Sequence, residues 1–386
     1  MKASRPQAGS GEPAPVLFST LPAAGGYNLG LITLNQPQAL NGLSLDMARA
    51  MSAQLAAWES DPTIAMVIMR GAGEKAFCAG GDLQAIYPSL PQTPYASGWQ
   101  NEYLRTFFQV EYTLDYQIHC YSKPVLCWAN GIVMGGGAGL MMGASHRVCT
   151  ETTRFAMPEI VIGLFPDVAG NWLLNRMPQG VGRFLALTGS IINASDTHYL
   201  GIVNHRLASS TWPVLLQRLQ AVRWHDNRAS NDALLDACLD DLKMPALPPG
   251  PVQQHAQAMA DWANASDWRV VYRNIAALES ADDPWLVQSA QRLRHGCPAA
   301  IALAFQTLTR AKTMSLAQVF QMEYTVALNA TARTDFREGI RALLIEKTGN
   351  PRWSPPSIEQ VDDDVIATLF EPTWPASQPH PLATMA

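Results

Sequence analysis

Residues 123–140 read KPVLCWANGIVMGGGAGL, from Lys123 to Leu140. An apolar run, interrupted once at Asn130-Gly131, ends in the consecutive glycines Gly135, Gly136 and Gly137, and an apolar, helix-like stretch follows from Leu140 to Ala144. Glycine opens backbone angles closed to other residues and lets a ligand approach the main chain. The first amides of a helix have no partner inside it, and the helix dipole adds partial positive charge there. Such a turn suits an oxyanion. Taken alone, the same glycines equally describe a tight turn packed in a core.

A second loop repeats the device. Residues 75–83, KAFCAGGDL, place Gly80 and Gly81 after an apolar strand at residues 64–70. Two separate turns can each aim one amide at a single oxygen, which is what the oxyanion of a thioester requires. A third segment, residues 155–170 (FAMPEIVIGLFPDVAG), sets Glu159 and Asp167 in apolar surroundings. Burying an unpaired carboxylate is costly, so each acid either caps, pairs or serves a site. Asp167 stands just before residues 168–172 and has the position of a helix cap there.

Composition narrows the classes. The chain has 386 residues, 48% hydrophobic and 15% charged, with net charge −5, a globular profile with ample material for a core. No basic run supports nucleic-acid or anionic-membrane binding. No segment approaches the ~18 apolar residues of a membrane span. The six cysteines include no CxxC pair and read as thiols of a reducing, cytoplasmic setting. The eight histidines are dispersed without metal-ligand spacing, so no metal is expected. A G-x-S-x-G elbow is missing, and the glycines from 135 to 143 do not fit G-x-G-x-x-G, which argues against serine-hydrolase and dinucleotide chemistry.

Organisation follows from periodicity. Residues 1–15 read as a disordered lead-in. Strands are expected at 27–35, 64–70, 124–129 and 147–150. A helix capped by Ser44 carries Met47, Met51, Leu55 and Trp58 at helical spacing, and another covers 99–116. Alternation of this kind indicates an α/β core over residues 16–205. Residues 206–365 are expected to be helical, with segments at 212–242, 252–277, 299–309, 316–329 and 335–345. Residues 366–386, rich in Pro, Ser and Ala, read as a flexible tail.

AFCAGGDL, NGIVMGGGAGL and FAMPEIVIGLFPDVAG, in this order and spacing, resemble the crotonase (enoyl-CoA hydratase/isomerase) superfamily, and within it the branch of 3-hydroxyisobutyryl-CoA hydrolases. The likeness runs from about Val16 to Pro355, returns at residues 322–324 and 335–344, and is weak over 206–296. It implies an α/β fold, a crotonase-like spiral of ββα units with an extended helical C-terminal part. It also implies an acyl-CoA substrate, with CoA as part of that substrate and no other cofactor, and a possible homo-oligomer. By resemblance, the amides of Gly81 and Gly136 form the oxyanion hole, Glu159 and Asp167 are the catalytic acids, and Glu111 lines the substrate pocket. The plain alternative for Glu111 is a helix-face carboxylate. The implied reaction is hydrolysis of a short 3-hydroxyacyl-CoA, with Glu159 as nucleophile or general base. Typical hydratases carry a glutamate where this chain has Gly139, so one hydration acid is expected to be missing. The rivals are a hydratase or isomerase, and a non-catalytic binding protein of the same fold. Ala169 and Asn171 stand where the hydrolases often have glycines, and Asn175 where a proline is expected.

Overall fold

The computed structural model describes residues 14–385. Most of the expected lead-in therefore lies outside the described residues. Its last two, Ala14 and Pro15, are tied down, since their carbonyls accept from the Asn35 side chain and the Asn35 amide.

Ten strands form two sheets. The larger holds β1 (Val16–Pro22), β2 (Asn28–Leu34), β3 (Ile64–Gly71), β5 (Val125–Ala129), β7 (His146–Cys149) and β10 (His205–Arg206), in that spatial order. The smaller holds β4 (Ala76–Cys78), β6 (Ile132–Met134), β8 (Arg154–Ala156) and β9 (Ile192–Asn193). Consecutive strands thus divide between the sheets: β3, β5 and β7 enter the large one, and β4, β6 and β8 enter the small one. Within each sheet these successive strands are parallel neighbours, with Met69 beside Cys127 and Cys127 beside Arg147, and Ile132 beside Arg154. The repeated unit is strand, corner, strand, which winds the chain into a spiral. One corner is Asn130-Gly131, where Gly131 takes φ 75° and a Cβ would stand 2.3 Å from the Lys75 carbonyl oxygen, so only glycine fits.

Alternation along β3 explains the layers. Val67 and Met69 face the main core, while Met66 and Ile68 face a second apolar cluster on the other side of the large sheet. Helices Trp212–Ala221 and Arg228–Asp240 cover that second face with Leu215, Leu219, Leu235 and Leu239. The first part of the weakly matching stretch 206–296 is therefore the cover of the sheet's outer face, while its later helices pack on the main core through Val252, Met259, Val271 and Leu293. Helices Pro298–Ala311 and Leu316–Thr331 close the main core on the inner side.

The helix after Ser44 forms as expected, Leu45–Ser60, with the Ser44 hydroxyl accepting from the Met47 amide at 3.2 Å. The helix expected over 252–277 is instead two, Pro251–Ala263 and Trp268–Ala276, because the Asp267 carboxylate caps a new start by accepting from the Arg269 amide. Strand β1, which the sequence pattern did not suggest, pairs antiparallel with β2.

The tail is a correction. Residues 366–385 dock on the fold through a few side chains rather than standing free of it. Trp374 meets Trp99, Tyr324 and His380, with ring centroids 6.3, 6.3 and 4.7 Å apart. The Gln109 and Gln321 side chains donate to the Pro381 and Leu382 carbonyls, and Leu382 and Met385 are buried. Pro, Ser and Ala describe the polarity of the segment, whereas its few large side chains decide its docking. Deleting residues 373–386 should lower stability by about 3 kcal/mol, the burial of two apolar side chains. Chemical denaturation measures this, and an unchanged midpoint would mean the docked tail adds nothing.

Candidate active site

The two glycine loops abut. Strand β6 delivers Gly135, in φ 49° ψ −126°, to the start of helix Gly136–Met142. Strand β4 delivers Gly80 at φ 111° and then Gly81. A Cβ built on Gly136 would stand 3.5 Å from the Gly81 nitrogen, so the two peptides are neighbours in space. Their amides are free for a ligand. Leu43 donates to the Gly80 carbonyl and accepts from the Asp82 amide, which leaves the intervening Gly81 N–H pointing elsewhere. Gly136 is the first residue of its helix, where an N–H has no intrahelical acceptor.

Acids converge on these glycines. A Cβ on Gly135 would stand 3.2 Å from Glu159 Oε1, and one on Gly136 would stand 2.4 Å from Glu111 Oε1. Glycine is thus required at 136 by the approach of that side chain, and at 135 by the positive φ of the turn. Glu111 comes from the long helix Glu102–His119 and is buried, so it is no solvated helix-face carboxylate. Glu159 opens the short 3-10 turn Glu159–Ile162 and is buried too, with Oε2 unpartnered.

Asp167 is not the cap of the following helix, Gly170–Leu174. Its Oδ2 accepts from the Tyr112 hydroxyl at 2.6 Å. The cap comes from far along the chain: Glu323 accepts from the Ala169 amide at 2.7 Å and from the Asn171 amide at 3.2 Å, and from the Asn171 side chain at 2.9 Å. Between them, Val168 and Ala169 hold φ 51° and 63°. A β-branched residue in that region is an outlier, and each such residue stores roughly 1–3 kcal/mol of strain. Asn171 takes its place because its side chain also donates to the Pro166 carbonyl, and Asn175 donates to the Leu308 carbonyl.

Sequence reasoning missed three participants: Tyr112, Glu323 and Asp115. The last bears on an expectation. The space that a side chain at Gly139 would fill is taken, since a Cβ there would stand 2.6 Å from Asp115 Oδ2 and 2.7 Å from Val168 Cβ. Residue 139 bears no acid, as expected, and the space beside it holds Asp115 of the long helix, fully buried and with neither oxygen hydrogen-bonded. The signal was present in the sequence, because Glu111 and Asp115 lie four apart and share a helix face that is otherwise apolar.

None of the ion pairs among the described residues involves Glu111, Asp115, Glu159, Asp167 or Glu323. Burial, then the neighbouring acids, holds Glu111, Asp115 and Glu159 well above the usual carboxylate range. Burial also lifts Glu323 to about 8. Asp167 rises only to about 6, because the Tyr112 hydroxyl opposes the effect of burial by stabilising its carboxylate. Asp167 thus ionises most readily of the five, and its charge raises the affinity of Glu111 and Glu159 for protons. His119, on the same helix, is pushed down to about 4 by burial and brings no cation to the cluster at neutral pH.

Comparison with known proteins agrees with this geometry. The family described as enoyl-CoA hydratase/isomerase matches residues 29–370. The mitochondrial 3-hydroxyisobutyryl-CoA hydrolase of Xenopus tropicalis is 37% identical over 341 residues, covering 88% of this chain and 86% of that protein. The 3-hydroxyisobutyryl-CoA hydrolase 1 of Arabidopsis thaliana is 32% identical, covering 88% of each. Among solved structures, a carnitinyl-CoA dehydratase from Mycobacterium thermoresistibile superposes with TM-score 0.80 at 31% identity, over 93% of this chain and 96% of that one. An enoyl-CoA hydratase from Rhodobacter sphaeroides does so with TM-score 0.77 at 30% identity, over 93% and 98%. With its spiral of paired sheets, its abutting glycine loops and these relatives, the chain belongs to the enoyl-CoA hydratase/isomerase family of crotonase-fold proteins.

Proposed function

We propose that the chain hydrolyses a short 3-hydroxyacyl-CoA, of the 3-hydroxyisobutyryl-CoA kind, to the free acid and CoA. The observation that carries this reading is the meeting of two unsatisfied amides, Gly81 and Gly136, beside the carboxyl groups of Glu159 and Glu111. The hydrolases similar to it over nearly nine-tenths of the chain support the choice of reaction.

The thioester oxygen sits between the two amides, and each such donor is worth about 3 kcal/mol to the tetrahedral oxyanion. In the nucleophilic route a Glu159 oxygen forms a bond to the acyl carbon and the C–S bond breaks. CoA leaves as thiolate and takes a proton, and water then opens the mixed anhydride. In the general-base route water attacks directly and Glu159 accepts its proton. Both routes need Glu159 without its proton, and Asp167, the readiest of the group to hold a charge, is the neighbour that can exchange one with it. Glu111 orients the acyl group, and Asp167 also receives the 3-hydroxyl. The route uses no metal or redox cofactor.

Asp115 favours a second reading, hydration of an enoyl-CoA, because it puts a carboxyl group in the space that residue 139 would otherwise fill. The two readings part on the product. A panel of CoA thioesters, assayed for free thiol and for loss of the enoyl chromophore, should show thiol release from 3-hydroxyisobutyryl-CoA and slow hydration of crotonyl-CoA. Rapid hydration without thiol release would establish the second reading, and activity in neither assay would leave a binding protein. The cytoplasmic setting belongs to the same proposal. It rests on six free cysteines, four of them buried, and the relatives named mitochondrial mark the competing location.

Glu159→Gln should lower kcat by at least about 10²-fold with the fold retained. Label left on the Glu159 carboxylate after a single turnover in ¹⁸O-water establishes the nucleophilic route, since it arises only from an anhydride opened at the glutamyl carbon. A variant as fast as the parent would move the chemistry to another acid.

Activity should rise with pH as the coupled acids lose their first proton, with a midpoint near the value of about 6 set by Asp167. Tyr112→Phe removes the hydroxyl that lowers this value, so the acid limb of the kcat/KM profile should move to higher pH. A limb that stays in place would detach the profile from Asp167.

A further inference from the structure

On the outer face of the large sheet, remote from the acids in topology, two histidines and an aspartate meet. His146 lies on β7 and His205 on β10, the edge strand, whose His205 pairs in register with Val148. Paired residues share a face and His146 is two residues from Val148, so both imidazoles stand on the side covered by helix Arg228–Asp240. Asp236 reaches them from that helix. His146 Nε2 and His205 Nε2 lie 3.3 and 3.2 Å from the same oxygen, Asp236 Oδ1, and the rings are stacked with centroids 5.6 Å apart. All three ligand atoms fall within 4.8 Å of one another.

We propose that His146, His205 and Asp236 bind one divalent cation of the zinc type, which clamps the outer helix to the edge of the sheet. The spacing is that of a coordination shell. Bonds of about 2.0–2.1 Å to a tetrahedral zinc ion put neighbouring ligand atoms about 3.3 Å apart. A direct histidine–carboxylate hydrogen bond in the same molecule is much shorter: His255 Nε2 to Asp283 Oδ2 is 2.7 Å. Two imidazoles and a carboxylate are a donor set suited to zinc. The Ser145 hydroxyl contacts His146 Nδ1 at 2.9 Å and fixes the ring from behind, as the outer partners of metal-bound histidines do.

The helix adds a second, independent observation. Asp232, Asp236 and Asp240 recur at four-residue spacing and so share one face. Asp232 acts electrostatically on His146 and Asp240 on His205. Asp232 Oδ1 is buried without a hydrogen-bond partner. Asp236 alone reaches the imidazoles; Asp232, whose Oδ2 lies 3.4 Å from Arg228 Nε, and Asp240 add negative charge on the same helix face, which favours a cation there. The Asp236 side chain is 53% exposed, which leaves the ion open to solvent on one side for a water as fourth ligand. The dispersed histidines of the sequence gave no sign of this, because the three residues come from two strands and a helix that only the fold assembles.

The test uses the full-length protein stripped with a chelator and titrated with Zn²⁺ against a chromophoric competitor, then with Co²⁺. One equivalent should bind with Kd of micromolar or tighter, raise the melting temperature, and give the intense visible bands of four-coordinate cobalt. Asp236→Asn replaces a half-exposed side chain and should fold, His205→Gln replaces a largely covered ring at the sheet edge whose fold circular dichroism would check, and each should weaken binding at least 10-fold. His146→Gln should do the same, and should it fail to fold, the other two carry the test. No saturable single equivalent, or parental binding by folded Asp236→Asn, would overturn the site. So would a near-ultraviolet thiolate-to-cobalt band, which would place the ion on Cys238 or Cys120.

Discussion

Two backbone amides, those of Ala169 and Asn171, end on the carboxylate of Glu323, and the geometry of the acid site rests on that contact. The turn it holds is not one the chain would choose. Val168 and Ala169 sit in the left-handed region, where side chains crowd the backbone. Strain of this kind persists only where the surroundings over-determine it. Here they do: Glu323 grips the amides after the turn, Tyr112 grips Asp167 before it, and Asn171 ties back to the Pro166 carbonyl. The helical C-terminal part is therefore no appendage. Its helix Leu316–Thr331 supplies the cap that a five-residue helix cannot make for itself.

A second consequence is electrostatic. Five buried acids without a cationic partner cannot all be charged. The fold eases this by giving Asp167 the Tyr112 hydroxyl and Glu323 three N–H donors, while burial holds Glu111, Asp115 and Glu159 well above the usual carboxylate range. Which acid carries the charge is then decided by Tyr112, a residue whose ring otherwise packs in an aromatic row with Phe108, Phe320 and Tyr324. Packing and proton affinity meet in one side chain. The native state consequently holds more protons than the unfolded chain from the ordinary carboxylate range up to about 8, where Glu323 titrates. In that window these acids make stability fall as pH rises, by the sign of the linkage relation.

The parts of this arrangement that could be read in the sequence are those set by local chemistry. Gly80-Gly81 and Gly135-Gly136-Gly137 after apolar runs announce turns that a ligand can approach, and Glu159 and Asp167 stand out against apolar neighbours. The role of Asp167 could not be read locally. A carboxylate before a helix looks like a cap, and only the fold shows a residue more than a hundred positions later doing the capping. Asp115 was legible as an acid four residues after Glu111 on an otherwise apolar face, but its place against Gly139 has no signature until two helices are placed side by side. The tail misled in the opposite direction, since its composition is that of disorder while Trp374, Leu382 and Met385 are enough to dock it.

The two faces of the large sheet show how one alternating strand pattern serves two ends. Along β3, Val67 and Met69 look inward to the core that supports the acids, while Met66 and Ile68 look outward to the cluster under the outer helices. On the inner side the long helix Glu102–His119 spends part of its apolar face on Glu111 and Asp115, and the rigid sheet beneath keeps their carboxyl groups against the glycine turns. On the outer side nothing catalytic is required, and the layer is made of leucines except at its rim. There, at β7 and β10, apolar packing gives way to His146 and His205 facing a helix of aspartates. The edge strand β10 is short, and the flanking Asn204 and Leu207 amides extend its hold on β7 by donating to the Arg147 and Cys149 carbonyls. The contact of His146 and His205 with Asp236 across that edge adds to the leucine packing that fastens the outer helix, and polar groups placed at the margin of an apolar layer do so without interrupting the core.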